Sequence, residues 1–423
     1  MQSPVKQLND PWGALRISEF RNLMIGRFLF IMGLRMMGTL VGWWIYELTN
    51  APFAIGLIGL AEVIPAVSLA LYAGHVIDKS EKRKLLLKGV ILYWCCALIL
   101  LFLSMDIGAL KLTSLQIAIG IYFIVFCTGI IRSFTGPSFG TIVGAVVPKN
   151  LLQNATTWSQ GIWLSASVLG HAIVGFIIAG FGHTGSLIVV VSLVGIGYGF
   201  IAMIKPKPPH ADVVDQKTLE SVKEGLRFVF NSKEVFGALS LDLFAVLFGG
   251  AVALLPVYAD KILHVGEMGF GWLRAAPGIG AMITLLALSV IPLETKPGIK
   301  MYICIAGFGI TTILFGISTN FYFSLVLLML GGICDAISVV IRGTILQLQT
   351  PDDMRGRISA VNTIFITSSN ELGAMESGLT AKWMGTVPAV VFGGIMTLGV
   401  VAISYFKAPK LKTLDFKNTD TAS

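Results

Sequence analysis

Lys82-Arg83-Lys84-Leu85-Leu86-Leu87-Lys88-Gly89-Val90-Ile91-Leu92-Tyr93-Trp94-Cys95-Cys96-Ala97-Leu98-Ile99-Leu100-Leu101-Phe102-Leu103-Ser104 is the stretch that decides the fold class. A knot of cations is followed by about 20 residues that are almost all apolar, the length an α-helix needs to cross a bilayer. Comparable runs recur along the chain, at 23–46, 54–77, 84–104, 115–146, 151–181, 185–204, 235–258, 270–292, 299–318, 321–347, 357–382 and 387–406. Turn chemistry marks several of the joins: Asn50-Ala51-Pro52, Val147-Pro148-Lys149 and Thr350-Pro351-Asp352. The pattern predicts an all-α membrane protein of twelve transmembrane helices.

Composition supports that reading. Of 423 residues, 55% are apolar and 13% charged, with a mean hydropathy of +0.81. A soluble domain carries about a quarter charged residues. A chain this apolar cannot cover its surface with polar groups, so its solvent is lipid. The 47 glycines fit as well, because they let membrane helices approach closely. Cys95, Cys96, Cys127, Cys304 and Cys334 all lie in apolar runs, the placement of free thiols rather than of a disulfide framework. Met1 to Asn22 is polar and holds Pro4 and Pro11, so no cleavable signal peptide is expected. No phosphate-binding glycine loop, metal-ligand spacing or catalytic constellation is found, which predicts a non-enzyme without cofactor or metal.

The distribution of cations sets the expected orientation. With the N-terminus in the cytoplasm, cytoplasmic segments hold 22 Lys and Arg, and the other side holds only Lys111, Lys261 and Lys382. By the positive-inside rule both termini are cytoplasmic. The net charge of +8 is then a topology signal and not a nucleic-acid footprint. The expected organisation is a cytoplasmic segment 1–22, a six-helix bundle 23–204, a linker 205–234, a second bundle 235–406 and a cytoplasmic tail 407–423. Within the linker, Lys205-Pro206-Lys207-Pro208-Pro209 reads as extended. Leu219 to Phe230 has apolar residues at helical spacing and reads as an amphipathic helix on the membrane face. A shift of 203 residues superposes Pro148 on Pro351, Gly129 on Gly332, Gly140-Thr141-Ile142 on Gly343-Thr344-Ile345, Gly170 on Gly373 and Gly175 on Gly378. Those coincidences suggest two pseudo-symmetric halves, an architecture that places substrate sites near the midplane.

Gly74-His75-Val76-Ile77-Asp78-Lys79-Ser80-Glu81-Lys82-Arg83-Lys84 resembles the loop signature of the major facilitator superfamily, with a glycine four residues before an acid and then cations. Glu81 stands where most of that superfamily has glycine, and is similar to the enterobactin-exporter (transmembrane secretion effector) branch. Phe20-Arg21, Gly26-Arg27-Phe28, Leu219 to Phe230, and Thr350 to Asn362 resemble the same branch. The resemblance implies the twelve-helix superfamily fold, alternating access, and export of siderophores, macrolides or other amphipathic molecules. It further implies a cytoplasmic gate built from Gly74, Asp78, Lys79, Lys82, Arg83, Arg355 and Arg357. Arg132, four residues before Gly136 in the fourth span, resembles the superfamily's coupling arginine, and a structural ion pair is the other reading. In the fifth span the glycine-proline pair of drug/proton antiporters is replaced by Gly170-His171.

Charges inside apolar spans must pair or face water, because a lone charge at a helix centre costs at least ~2.5 kcal/mol. That points to Glu62, Arg132, His171, Asp242, Asp335, Arg342 and Glu371 as candidates for proton coupling. His171 belongs there because histidine changes charge near neutral pH, or else it is simply hydrogen-bonded in the bundle. Glu376 ranks behind them, near the outer end of its span. Arg27, Arg35, Phe30, Trp163, Arg274 and Asn370 are candidates for a substrate cavity; Phe28, Trp43, Trp44 and Trp158 could line it too, although the three tryptophans read more simply as interface anchors. The expectation is a proton-coupled secondary exporter of a small amphipathic molecule in the bacterial inner membrane. Its partners would be the lipid bilayer, the substrate and protons, with the protein acting as a monomer. A facilitator or importer of a metabolite or lipid is the alternative.

Overall fold

The computed structural model describes residues 10–105, 112–206, 218–291, 296–351 and 354–412, apart from the side chains at 70, 71, 74, 75, 78, 79, 218–222, 355, 356, 360, 409 and 410. The described residues form helices and contain no strand. The helices are α1 Ser18–Thr49, α2 Pro52–Lys79, α3 Lys82–Ser104, α4 Ser114–Val146, α5 Leu152–Ala202, α6 Thr218–Asn231, α7 Lys233–Phe248, the single turn α8 Leu255–Val257, α9 Gly266–Leu288, α10 Pro297–Ile317, α11 Phe321–Gln349, α12 Arg355–Met384, α13 Thr386–Lys407 and the short α14 Pro409–Lys412. Their ends follow local chemistry. Asn50 takes a positive φ of 51° and Pro52 opens α2. Thr113 and Gln116 form a reciprocal capping box at the start of α4. Asn320 accepts the Phe323 N–H at the start of α11.

Ten helical stretches among the described residues are long and apolar enough to cross a membrane. One is the long α5, which Gly182 breaks into two arms at φ 64°, ψ −166°, a conformation essentially reserved for glycine. The sequence places a span boundary there. Helix α12 is as long as its neighbours, yet it carries Asn362, Asn370, Glu371 and Glu376 along its length. Such a polar helix is excluded from contact with lipid on those faces. Many large apolar side chains are exposed, among them Phe123, Phe181, Leu286, Tyr322 and Phe406, as a bilayer-embedded surface requires.

The span expected at 235–258 is not one continuous helix. Helix α7 stops at Phe248, and a 3-10 turn Ala251–Leu254, α8 and a π turn Tyr258–Ile262 follow. Gly249 and Gly250 carry the interruption, since glycine is the poorest helix former after proline. A Cβ on Gly250 would stand 2.9 Å from the Gly373 oxygen, so α12 lies directly against the break.

By packing, the chain divides into two compact units, Met1–Val41 with Ile64–Asp215, and Gly42–Val63 with Gln216–Ser423. The hairpin between α1 and α2 thus belongs with the second half of the chain. In the first unit Phe30 sits in an aromatic stack with Tyr93 and Phe139, at ring separations of 5.4 and 5.7 Å. It is 1% exposed, which makes it core and not the cavity wall expected of it. In the second unit Val235, Leu239, Met301, Ile341, Ile345 and Ile358 form an apolar cluster, joined by Val229 of α6 and Leu411 of α14. The linker helix α6 therefore packs on protein: a Cβ on Gly225 would meet the Arg357 oxygen of α12 at 3.2 Å.

The two units repeat one packing device. A Cβ on Gly170 would stand 2.7 Å from the Met32 oxygen, which sets α5 against α1, and one on Gly373 would stand 2.8 Å from the Leu247 oxygen, which sets α12 against α7. Gly140 and Gly343, also related by the 203-residue shift, both face open space.

Candidate functional site

In the first unit the close approach of α5 to α1 at Gly170 lines up a polar file. The Arg35 guanidinium lies 5.2 Å from the Trp163 ring centre, a cation–π contact. One turn further on, Thr39 donates to the Arg35 carbonyl at 2.9 Å, and its oxygen is 2.6 Å from His171 Nδ1. Thr39 and His171 thus share a hydrogen bond whose direction follows the imidazole tautomer. Two turns before Arg35, Arg27 donates to Ser159 Oγ and stands 5.2 Å from the Phe139 ring centre. Arg132 is half-buried in α4.

Two ionic groups of the second unit gather the buried candidate charges. Asp242 of α7 accepts from Arg342 of α11, with Ser338 donating to the same carboxylate at 3.3 Å. The two charged side chains are only 6% and 4% exposed. Asp335, two turns before Arg342 on α11, is half-buried. The other group forms where α2 crosses α12. A Cβ on Gly59 would stand 2.6 Å from the Glu371 oxygen, and one on Gly378 would stand 2.9 Å from Gly56 Cα. That crossing brings Glu62 and Glu371 within electrostatic reach of Arg274 on α9. Arg274 also donates to the Val252 carbonyl at 3.2 Å, an acceptor exposed by the interruption after α7. Asn370, one residue before Glu371, returns its amide to Ile366 of its own helix.

Nearby, Tyr46 donates to Asp260 at 2.6 Å, and Trp43 stacks on Phe270 with ring centres 5.3 Å apart. Trp43 and Trp44 are 4% and 6% exposed, so they are buried packing residues and not the interface anchors expected. The reason is tertiary: the α1 end they occupy is covered by the second half of the chain.

The gate residues fall largely outside the described side chains. Gly74, Asp78 and Lys79 lie in the last turns of α2 and Arg355 opens α12, each without a described side chain. Lys82 begins α3. Arg83 donates to the Ala202 carbonyl at 2.6 Å and so caps the C-terminal end of α5. Arg357 pairs with Glu224 of α6 at 2.5 Å.

The fold matches that of known transport proteins over most of the chain. The family model described as transmembrane secretion effector covers residues 9–422. The chain belongs to that family. Among its relatives, the enterobactin exporter EntS of Escherichia coli O1:K1 / APEC is 25% identical over 397 residues, 91% of each chain. That of Shigella boydii serotype 18 is 26% identical over 398 residues, again 91% of each. The fold matches that of the nucleoside transporter NupG at a TM-score of 0.72 and 13% identity, over 93% of this chain and 99% of the other. It matches a D-xylose–proton symporter at the same score and 13% identity, over 94% and 99%. This secretion effector is therefore a multi-pass membrane transporter of the major facilitator superfamily, and not an enzyme.

Several residues of the effector's polar groups escaped the sequence reading. Thr39, Ser159 and Ser338 carry no signal, because hydroxyl residues are ordinary in membrane helices. The Val252 carbonyl was foreshadowed by Gly249-Gly250 in mid-run, the punctuation of a broken helix.

Proposed function

We propose that this transporter exports a small amphipathic molecule across the bacterial inner membrane, driven by the proton gradient through alternating access. Twelve spans in two six-helix bundles, both termini cytoplasmic and a monomeric unit complete the reading. The observation that carries it is the group of Glu62, Glu371 and Arg274. One guanidinium lies within electrostatic reach of two carboxylates inside the bundle. Acids gathered with an arginine inside a membrane bundle mark proton relays in transporters, so the group is suited to that role. Asp242 is suited less, because Arg342 already balances it. Export, rather than uptake, is supported by the relatives named enterobactin exporter.

Everted vesicles carrying the wild-type protein should acidify or alkalinise on addition of a cargo, and Glu62→Gln or Glu371→Gln should lose that proton movement while keeping cargo counterflow. Cargo movement without any proton flux in the wild-type protein would remove the coupling. Accumulation of cargo by intact cells would replace export with uptake.

A further inference from the structure

The first unit contains a cavity of about 380 Å³ between α1, α4 and α5, lined by Arg27, Thr141, Leu152, Thr156, Ser159 and Gln160 with small and aliphatic neighbours. Its lining residues all belong to the first unit, whereas the Glu62 group belongs to the second, and its chemistry is one-sided. Arg27 is the only charged residue among the described residues that line it. Among the described residues the guanidinium is held by neutral partners alone, the Ser159 hydroxyl oxygen and the face of Phe139. Its Nε–H is buried with no acceptor. An arginine kept this way inside a membrane-embedded bundle is short of a counter-charge.

Three parts of the surroundings supply donors. Ser159 spends an oxygen lone pair on Arg27, which leaves its own proton to give. Gln160 is exposed, lines the cavity and carries an amide donor. The first turn of α5, from Leu152, adds the positive end of a helix. Thr156 and Thr141 give their protons to Leu152 and Ser138 carbonyls. On the α4 wall, a Cβ added to Gly140 would meet nothing within 4 Å, so the space is open up to the backbone.

We propose that this cavity is an oxyanion-binding site, in which Arg27, Ser159 and Gln160 hold the carboxylate, phenolate or phosphate of an amphipathic molecule. The volume admits such a group with an attached ring. The anion is either part of the cargo or the headgroup of an anionic phospholipid, and both satisfy the same donors. Assignment to cargo rests on the export reading; the binding site itself does not.

The test uses the full-length protein in detergent, with salicylate as the anionic probe and benzyl alcohol as its uncharged counterpart. Salicylate should raise the melting temperature in a concentration-dependent way, and benzyl alcohol should not. Arg27→Gln should raise the salicylate Kd at least tenfold, with partial recovery in Arg27→Lys. Because Arg27→Gln also removes a part-buried hydrogen bond, Gly140→Leu provides a second variant: it enters open space on a helix, should fold normally, and should weaken salicylate at least tenfold by filling the cavity. Nanodiscs of phosphatidylglycerol against phosphatidylcholine identify the lipid source, through an Arg27-dependent stabilisation by the anionic lipid alone. Equal effects of salicylate and benzyl alcohol together with no Arg27-dependent lipid effect, or wild-type binding in both variants, would overturn the site. Salicylate binding that persists when Glu62→Gln abolishes proton movement separates this site from the coupling group.

Discussion

Neutralising Asp242 while leaving Arg342 in place is the sharpest test of the buried ionic pair. Asp242→Asn keeps the shape and the Ser338 hydrogen bond but strands a guanidinium that is 4% exposed. Breaking a buried pair from one side costs about 3–5 kcal/mol in soluble proteins. In a membrane the reference state offers relief. Arg342 lies seven residues before the end of α11 at Gln349, about 10 Å along the axis, close enough for an unpacked helix to let it snorkel. Relief in that state adds to the cost of holding the bare cation in the packed one. On the other side, hydrogen bonds between membrane helices average only ~0.6 kcal/mol, because unpacked helices find other partners. Between these limits, the bare charge decides, and the expected loss is about 2–4 kcal/mol. The joint replacement Asp242→Leu with Arg342→Met removes both charges and should fall within about 1 kcal/mol of the native protein. Thermal or denaturant unfolding of purified protein, arranged as a double-mutant cycle, reads both quantities. A loss below ~1 kcal/mol for Asp242→Asn, or single losses that simply add in the double variant, would refute the reasoning. Transport that survives in the double variant would mark the pair as structural.

Other perturbations probe the remaining groups. Gly170→Ala and Gly373→Ala should each destabilise by about 1–3 kcal/mol, since a backbone oxygen blocks the methyl group, whereas Gly343→Ala should be neutral or stabilising by up to ~1 kcal/mol; melting temperatures compare them. Asp78→Asn should leave membrane insertion intact and impair transport if the acid latches the gate, and unchanged export rates would remove that role. Arg357→Gln removes an ion pair whose acidic partner is 56% exposed, so its stability cost should stay within about 1 kcal/mol and shrink as salt is raised.

Much of the fold could be read along the chain because hydropathy is a local property. A run such as Leu85 to Leu103 is apolar whatever it packs against, and the gap near Gly182 shows itself as a break in the run. The amphipathic helix α6 was legible for the same reason, through its spacing alone. Candidate charges were legible too, since an Asp or Arg in a span is costly wherever it finally points. Their partners were not. Asp242 and Arg342 are 100 residues apart, Thr39 and His171 are 132 apart, and Glu62 meets Arg274 only because glycines on α2 let it press against α12. Arg83 reads as a member of a basic gate, yet in the fold it also caps a helix that ends at Ala202. Phe30 and Trp43 look identical to lipid- or cavity-facing aromatics until neighbours bury them. The sequence by itself determined that this chain lives in lipid, where its helices run and which charges need explaining. Only the tertiary structure decided which charge answers which, because pairing depends on close helix crossings between segments distant in the chain, and no local pattern encodes a crossing.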